Sequence, residues 1–404
     1  MDPSTLKQLL DVSALKILDS LDYDRSRELQ LNKQLRAQGL SPELTAAILT
    51  QAQLRIEAED KFGPFASHML FTRDGLAQAT RLPVAAHHAA RMRQAGVSSV
   101  VDLGCGVGAD ALAFAGTDVQ VRAVEIDEVT AAIAAFNMRE FPTAEVVHGA
   151  AEDQDLAGLD ALWCDPARRS GSHRDGQARR LSDPESFSPS LSWVVEKAAE
   201  VRAAGVKMGP ALDHALVPDG WEAQWVSHNG DVVEVALYAG DACQHAGRSA
   251  LLMGDEPGTL TVHESEVPEA DEPRIGELGE YLFEPDGALV RAGLVTALCD
   301  PLGVWRISPK IAYLTGDAFV TGIAQRAVSQ YRIVDVLPAG IKALRQALKA
   351  RDIGKVIIKK RGMDIVPEKV RRQLKLTQGS ESATLVFTRV GEKHVVLLTQ
   401  PVTQ

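Results

Sequence analysis

VVDLGCGVGADALAFA, the run from Val100 to Ala115, decides the fold. An apolar pair, Val100 and Val101, leads into Asp102. Three glycines spaced two apart follow, Gly104, Gly106 and Gly108, and then an alanine-rich helical stretch. Glycines at a strand-to-helix turn let the backbone bend tightly and let a ligand lie against it. The helix beyond presents unpaired N–H groups and the positive end of its dipole. A nucleotide-like ligand is the natural occupant of such a turn, although a lone glycine-rich turn is often no more than a turn.

Gly104, Gly106 and Ala109 also satisfy the loose dinucleotide pattern G-x-G-x-x-G/A. Asp102 argues against that reading, because a dinucleotide site usually has an apolar strand residue two positions before the first glycine. A carboxylate there suits a cationic group, such as the amino group of S-adenosylmethionine. The next strand, QVRAVEID, carries Glu125 at 21 residues after Gly104, where an acid can accept hydrogen bonds from ribose hydroxyls. A third landmark, Asp165-Pro166-Ala167-Arg168, follows the apolar strand ALWC. D-x-G-x-G-x-G followed by an acidic strand end resembles the class I S-adenosylmethionine-dependent methyltransferases. That resemblance implies S-adenosylmethionine as cofactor, held by Asp102, Gly104, Gly106, Gly108 and Glu125.

The chain has 404 residues, 45% of them hydrophobic, enough for two or three domains with sizeable cores. No stretch of 18 apolar residues occurs, and MDPSTLKQLL lacks the basic and apolar regions of a secretory signal. Cys105, Cys164, Cys243 and Cys299 have no C-x-x-C spacing and no histidine companions, so reduced thiols and a cytoplasmic protein without metal or membrane are expected. The net charge of −11 is unevenly spread. Val290–Gln404 holds 19 Lys/Arg against 8 Asp/Glu, and Ile341–Lys375 holds 12 against 3. This polarity points to an anionic partner for the C-terminal part, unless those charges form a solvated helix face with an acidic neighbour.

Four segments are expected. Residues 1–65 show apolar positions at helical spacing, with Ser41-Pro42 as cap and first turn of one helix, and form an N-terminal helical domain. Residues 66–240 alternate strands and helices, among them a helix over 191–204. They imply a Rossmann-like α/β domain with a seven-stranded methyltransferase sheet ending in an antiparallel pair. Residues 241–330 form a connecting segment, with an exposed loop or linker over 255–280. Residues 331–404 read as a β-α-β-α-β-β unit whose last two strands turn at Gly391.

Five stretches then extend the resemblance over nearly the whole length: KFGPFASHMLFTRDGLAQATR (Lys61–Arg81), the glycine motif, DPARR, GEYLFEPDGALVRAGL (Gly279–Leu294) and IKKRGMDIVPEKVRRQLKL (Ile358–Leu376). The chain resembles the bacterial methyltransferases that carry a small C-terminal α+β THUMP-like domain. THUMP domains are RNA-binding modules, so the resemblance implies an RNA partner.

Within that frame the segment around Thr72, Asp74 and Gln78 is a candidate to close over the methionine end of the cofactor, a helix cap at Thr72 or Asp74 being the plain alternative. In GAAED the usual adenine-facing acid is replaced by Ala150, leaving Glu152 or Asp153 to substitute. Asp165, Pro166 and Arg168 resemble the D/N-P-P-Y/F/R motif of nucleic-acid methyltransferases. A carboxylate and a strained carbonyl there accept hydrogen bonds from an exocyclic amine and expose its lone pair. Arg168 stands where an aromatic usually stacks on the base, and an arginine plane can stack too. Arg168 and Arg169, with Arg174, Arg179 and Arg180, also suit phosphate. Cys243 and Cys299 lie in no recognisable motif, which disfavours methylation of carbon. Lys359, Lys360 and Arg361, with Arg371, Arg372 and Lys375, form a candidate phosphate-tracking stripe with few aromatics interleaved.

The leading expectation is methylation of a base nitrogen in structured RNA. A non-catalytic RNA-binding protein on the same scaffold, or a methyltransferase with a protein or small-molecule acceptor, are the alternatives.

Overall fold

The computed structural model describes residues 1–168, 183–267, 274–376 and 379–402, and of Arg168 the backbone alone. The chain divides into two compact units. One comprises Met1–Met208, Val217–Glu222 and Ala236–Ala246; the other comprises Gly209–Leu216, Ala223–Val235 and Gly247–Gln404.

The first unit opens with helices α1 (Pro3–Leu9), α2 (Val12–Ser20), α3 (Glu28–Ala37), α4 (Pro42–Phe62), α5 (Arg73–Gln78) and α6 (Leu82–Gln94). Ser41 accepts from the Leu44 N–H with Pro42 in the first turn, so α4 begins where its cap directs. The α/β part follows as β1 (Ser99–Leu103), α7 (Ala109–Ala115), β2 (Gln120–Glu125), α8 (Glu128–Asn137), β3 (Ala144–His148), β4 (Ala161–Cys164), the short pair β5 (Ala167–Arg168) and β6 (Phe187–Ser188), α9 (Leu191–Ala198) and β7 (Ala203–Met208). Leu9, Ile48, Leu54 and Phe62 share one core with Val107, Ala109 and Ile133, so the N-terminal helices brace α7 and α8.

Strands β8 (Glu222–His228), β9 (Asp231–Gly240), β10 (Gly247–Met253) and β11 (Leu260–His263) complete the main sheet. Its order is β11-β10-β8-β9-β7-β4-β1-β2-β3. The seven strands expected from the sequence are present, and β10 and β11 extend the sheet to nine. β1 pairs parallel with β2 and β4, β2 with β3, and β4 with β7.

The helix expected over 191–204 stops at Ala198, and Ala203 begins β7 instead. Alanine fits either state, and packing decides between them. Trp163 is fully buried in β4 with its ring against His88, Phe114 and Tyr238. A Cβ at the neighbouring Gly205 would lie 2.4 Å from that indole, so the adjacent strand passes it with small residues.

The second unit's own sheet is built from β12 (Tyr281–Pro285), then, after α10 (Gly287–Ala292) and α11 (Cys299–Leu302), β13 (Trp305–Arg306), β14 (Leu314–Gly316) and β15 (Val328–Leu337). It finishes with α12 (Ile341–Lys349), β16 (Ile353–Lys360), α13 (Pro367–Leu374), β17 (Glu381–Val390) and β18 (Lys393–Pro401). The sheet order is β13-β14-β12-β15-β18-β17-β16. Residue 331, the expected start of the C-terminal domain, falls inside β15. Residues 281–316 supply three strands of the same sheet, and β11 falls within the stretch read as a loop or linker. Leu344, Leu348, Val370 and Leu374 seat α12 and α13 on Leu385, Phe387 and Val396 of the strands. No helix among the described residues is long and apolar enough to cross a membrane.

Candidate active site

The glycine turn of β1–α7 adopts the backbone that only glycine takes readily. Gly104, Gly106 and Gly108 have φ of +81°, +57° and +89°. At Gly104 the crowding is also direct, because a Cβ would lie 2.7 Å from the main-chain oxygen of Asp165. Gly108 is the left-handed cap from which α7 departs. Glu125, at the end of β2, ties the turn down. Its carboxylate accepts from the Gly106 N–H at 3.0 Å and from the Asp127 N–H at 2.9 Å.

These elements wall a cavity of about 230 Å³ lined by Gly104, Gly106, Glu125, Asp165 and Pro166. Thr72, Asp74 and Gln78 of the upstream segment line it too, as do Ala151 and Glu152 after β3. Thr72 serves as helix cap as well, accepting from the Gly75 N–H at 2.9 Å. Asp153 is exposed beside Glu152 and is not on the wall. Ala167 and Ser188, paired across β5–β6, close the side next to Asp165. Arg169, like Arg174, Arg179 and Arg180, lies outside the described residues.

Two buried acids, Asp102 and Asp110, set the field here together with the one-third-exposed Asp165. Asp102 is 1% exposed, and neither carboxylate oxygen has a hydrogen-bond partner. Burial, then the charges of Asp110 and Asp165, push its pKa well above the ordinary carboxylate value. It is not itself on the cavity wall. Asp110, in the first turn of α7, goes the other way. Burial alone would raise it, but His88 Nδ1 at 2.8 Å, Lys207 and the Thr80 hydroxyl at 2.7 Å bring it below the usual range. Asp165 is paired with Lys207, whose Nζ lies 2.7 Å from Oδ2. Asp74, Asp110, Glu152 and Asp165 bring carboxylates to the wall for a cation, and Glu125 at the β2 end is placed for ribose hydroxyls. The residues present fit S-adenosylmethionine, which carries both a sulfonium and an ammonium group.

The comparisons with known proteins agree with that fit. Two proteins from two strains of Mycobacterium tuberculosis, each described as an uncharacterized S-adenosylmethionine-dependent methyltransferase, are 33% identical to this chain over 357 residues. The match spans 84% of this chain and 91% of theirs. This chain belongs to the S-adenosylmethionine-dependent methyltransferases. The THUMP domain-like family matches residues 328–401, and a domain of unknown function matches residues 2–58. A crystal structure of a Porphyromonas gingivalis W83 protein, described as a candidate methyltransferase, superposes with a TM-score of 0.72. It covers 95% of this chain and 100% of its own at 19% identity, a likeness of fold.

Two lysines of this methyltransferase were not foreseen. Lys207, at the end of β7, donates to the Gln78 carbonyl at 3.1 Å besides pairing with Asp165, so it links the upstream segment to the β4 end. Lys61 donates to the carbonyls of Leu76, Ala77 and Ala79 at 2.8–2.9 Å and so caps the C-terminal end of α5. Burial, with Lys207 and Arg81 nearby, pulls Lys61 down to about 8. Lys61 stands in the stretch quoted above, but nothing in sequence pairs it with carbonyls fifteen or more residues on.

The C-terminal basic residues divide into two sets. Lys359 and Arg361 both turn to Glu284 of β12, and their charges lie over Tyr331 and Tyr313 at 5.3 and 5.1 Å. Lys360 donates to the Ile365 carbonyl at 2.7 Å. Arg371, Arg372 and Lys375 stand exposed on and after α13, and no acid lies within 4.0 Å of them among the described residues.

Proposed function

We propose that this methyltransferase acts on a base nitrogen of structured RNA. The observation that carries the reading is Asp165, a carboxylate on the cofactor cavity wall with Oδ2 already committed to Lys207. The Asp165 carboxylate accepts from an exocyclic amine, and the Asp165 carbonyl beside Pro166 offers a second acceptor. Held so, the amine turns its lone pair into the cavity. S-adenosylmethionine, when bound, supplies an electrophilic methyl group on sulfonium. Glu125 then takes the ribose hydroxyls, Gly104–Gly108 give the backbone room, and Glu152 stands where Ala150 removes the usual acid. Catalysis on this account is mostly positioning, with Lys207 fixing the rotamer and charge of Asp165.

The thiols of Cys243 and Cys299 are pushed up by burial, so neither is an activated nucleophile for carbon methylation. RNA as acceptor is supported by the THUMP domain-like match at 328–401 and by the basic balance of the same region. A protein or small-molecule acceptor is the second reading, favoured by the acids Asp74, Asp110, Glu125, Glu152 and Asp165 around one cavity.

The test is transfer of a tritiated methyl group into separated tRNA, rRNA and protein from a strain lacking this gene. Label in one RNA fraction, absent with Asp165→Ala, is expected. Label in protein alone, or in no fraction despite measurable cofactor binding, overturns the RNA reading.

A further inference from the structure

In the stretch 341–375 most of the exposed cations without an acidic partner among the described residues stand on or beside the helices, six of them, against two, Lys355 and Lys360, on the strand that the sequence singles out. β16 is the edge strand of its sheet, and its Lys359 and the following Arg361 share the single carboxylate of Glu284. Arg351 is likewise paired, with Asp335. α12 and α13 bury Leu344, Leu348, Val370 and Leu374, and this seating turns their opposite faces outward. On or beside those faces stand Lys342, Lys349, Lys369, Arg371, Arg372 and Lys375, all exposed. Among the described residues none of the six has a carboxylate within 4.0 Å. The acids nearby are Asp352, engaged by Ser380, with Asp364 and Glu368. Residues 338–380 contain no Phe, Tyr or Trp.

We propose that the outward face of α12 and α13 is the surface that holds RNA, through its phosphates, an inference that rests on the RNA reading above. Exposed cations without acidic partners gain most from displacing counterions, whereas Lys359 and Arg361 would first have to leave Glu284. Without aromatics the face offers unpaired bases nothing to stack on, so it grips the phosphate ribbons of folded RNA and reads shape rather than sequence.

The experiment measures binding of the full-length protein to unfractionated tRNA between 50 and 200 mM salt. One variant combines Lys342→Gln, Lys349→Gln, Lys369→Gln and Arg371→Gln; a second combines Lys359→Gln and Arg361→Gln. By the duplex value of about 0.9 per neutralised phosphate, the first variant should flatten the slope of log K against log salt by about 3–4. Its affinity for S-adenosylmethionine and its melting temperature should stay as in the wild type. The second variant should lose thermal stability yet keep a slope within about 0.5 of wild type. A first variant that binds tRNA with the wild-type slope overturns the assignment of the face while leaving the RNA reading intact. Wild-type protein that binds neither tRNA nor rRNA overturns both. Equal binding to polyglutamate of matched length and charge overturns RNA as the occupant.

Discussion

Gly104→Ala is the most searching single change at the cofactor turn, because two independent costs meet there. The residue has φ +81°, where a side chain costs about 1–2 kcal/mol. Its new Cβ would also lie 2.7 Å from the Asp165 carbonyl oxygen, so ordinary contact requires a shift of about 0.7 Å. Neither side yields cheaply. The Gly104 N–H donates to Val124 at 2.9 Å, and the Asp165 N–H donates to Leu103 at 3.0 Å. Strain and overpacking together come to about 2–4 kcal/mol. In a unit of this size that lowers the melting temperature by roughly 5–10 °C. If Asp165 gives way, a misplacement approaching 1 Å at the acceptor-binding group costs about a hundredfold in rate. Calorimetric titration with S-adenosylmethionine should show at least about tenfold weaker binding, and methyl transfer should fall further still. Gly158→Ala separates the two costs, since Gly158 shares the positive φ of +79° but meets nothing within 4 Å. It should lose about 1 kcal/mol of stability and no cofactor affinity. Wild-type melting and affinity in Gly104→Ala would refute the close approach of the β1 turn to Asp165.

Asp102→Asn should stabilise the protein increasingly as pH rises. A folded pKa raised above the ordinary 3.8 makes the acid's contribution full below about pH 4 and lost as pH climbs to and through the folded value. The gap in unfolding free energy between variant and wild type should therefore widen by up to about 1.4 kcal/mol per pH unit above pH 4. S-adenosylmethionine binding should weaken in the same variant; a gap independent of pH in chemical denaturation would exclude a neutral Asp102. Lys207→Met should lower kcat about 10–100-fold while changing cofactor affinity less than about threefold, and Lys207→Arg should restore part of it. Equal losses in both parameters would make Lys207 a structural residue only. Glu125→Gln replaces an acceptor of two N–H bonds by an amide that clashes with one of them, so cofactor affinity should fall about tenfold by titration. Glu284→Gln should cost the C-terminal unit about 1 kcal/mol in urea unfolding, a modest figure because Lys359 is one-third exposed.

The fold was readable where local chemistry and topology coincide. The glycine spacing demands a positive-φ turn, Ser41-Pro42 starts a helix, and the alternation from residue 331 describes β15 to β18 with their two helices. The site was readable for the same reason at Gly104, Gly106, Gly108 and Glu125. Parallel strands β1 and β2 are neighbours by necessity, so the end of one must face the turn of the other. The helix expected over 191–204 is present to Ala198 and ends there, because Ala203 and Ala204 fit either state and the strand beside the Trp163 indole takes them. Strands β12, β13 and β14 went unread because they are short and separated by irregular chain, which hides a sheet from pattern reading.

What stayed hidden is of one kind: the partner of a charge. Lys207 lies 42 residues beyond Asp165 and Glu284 lies 75 residues before Lys359, and no periodicity links either pair. The consequence differs in sign between the two places. At Asp165 the lysine adds to the candidate site, because it orients the carboxylate on the cavity wall. At Glu284 the acid subtracts, because its single carboxylate engages both Lys359 and Arg361 and halves the charge that this pair offers an anion. A count of charges is therefore a poor guide to where an anion sits. The helix faces of α12 and α13 present fewer consecutive basic residues than Lys359–Arg361, yet more of theirs stand without an acid among the described residues, and such charges release most counterions when a phosphate arrives.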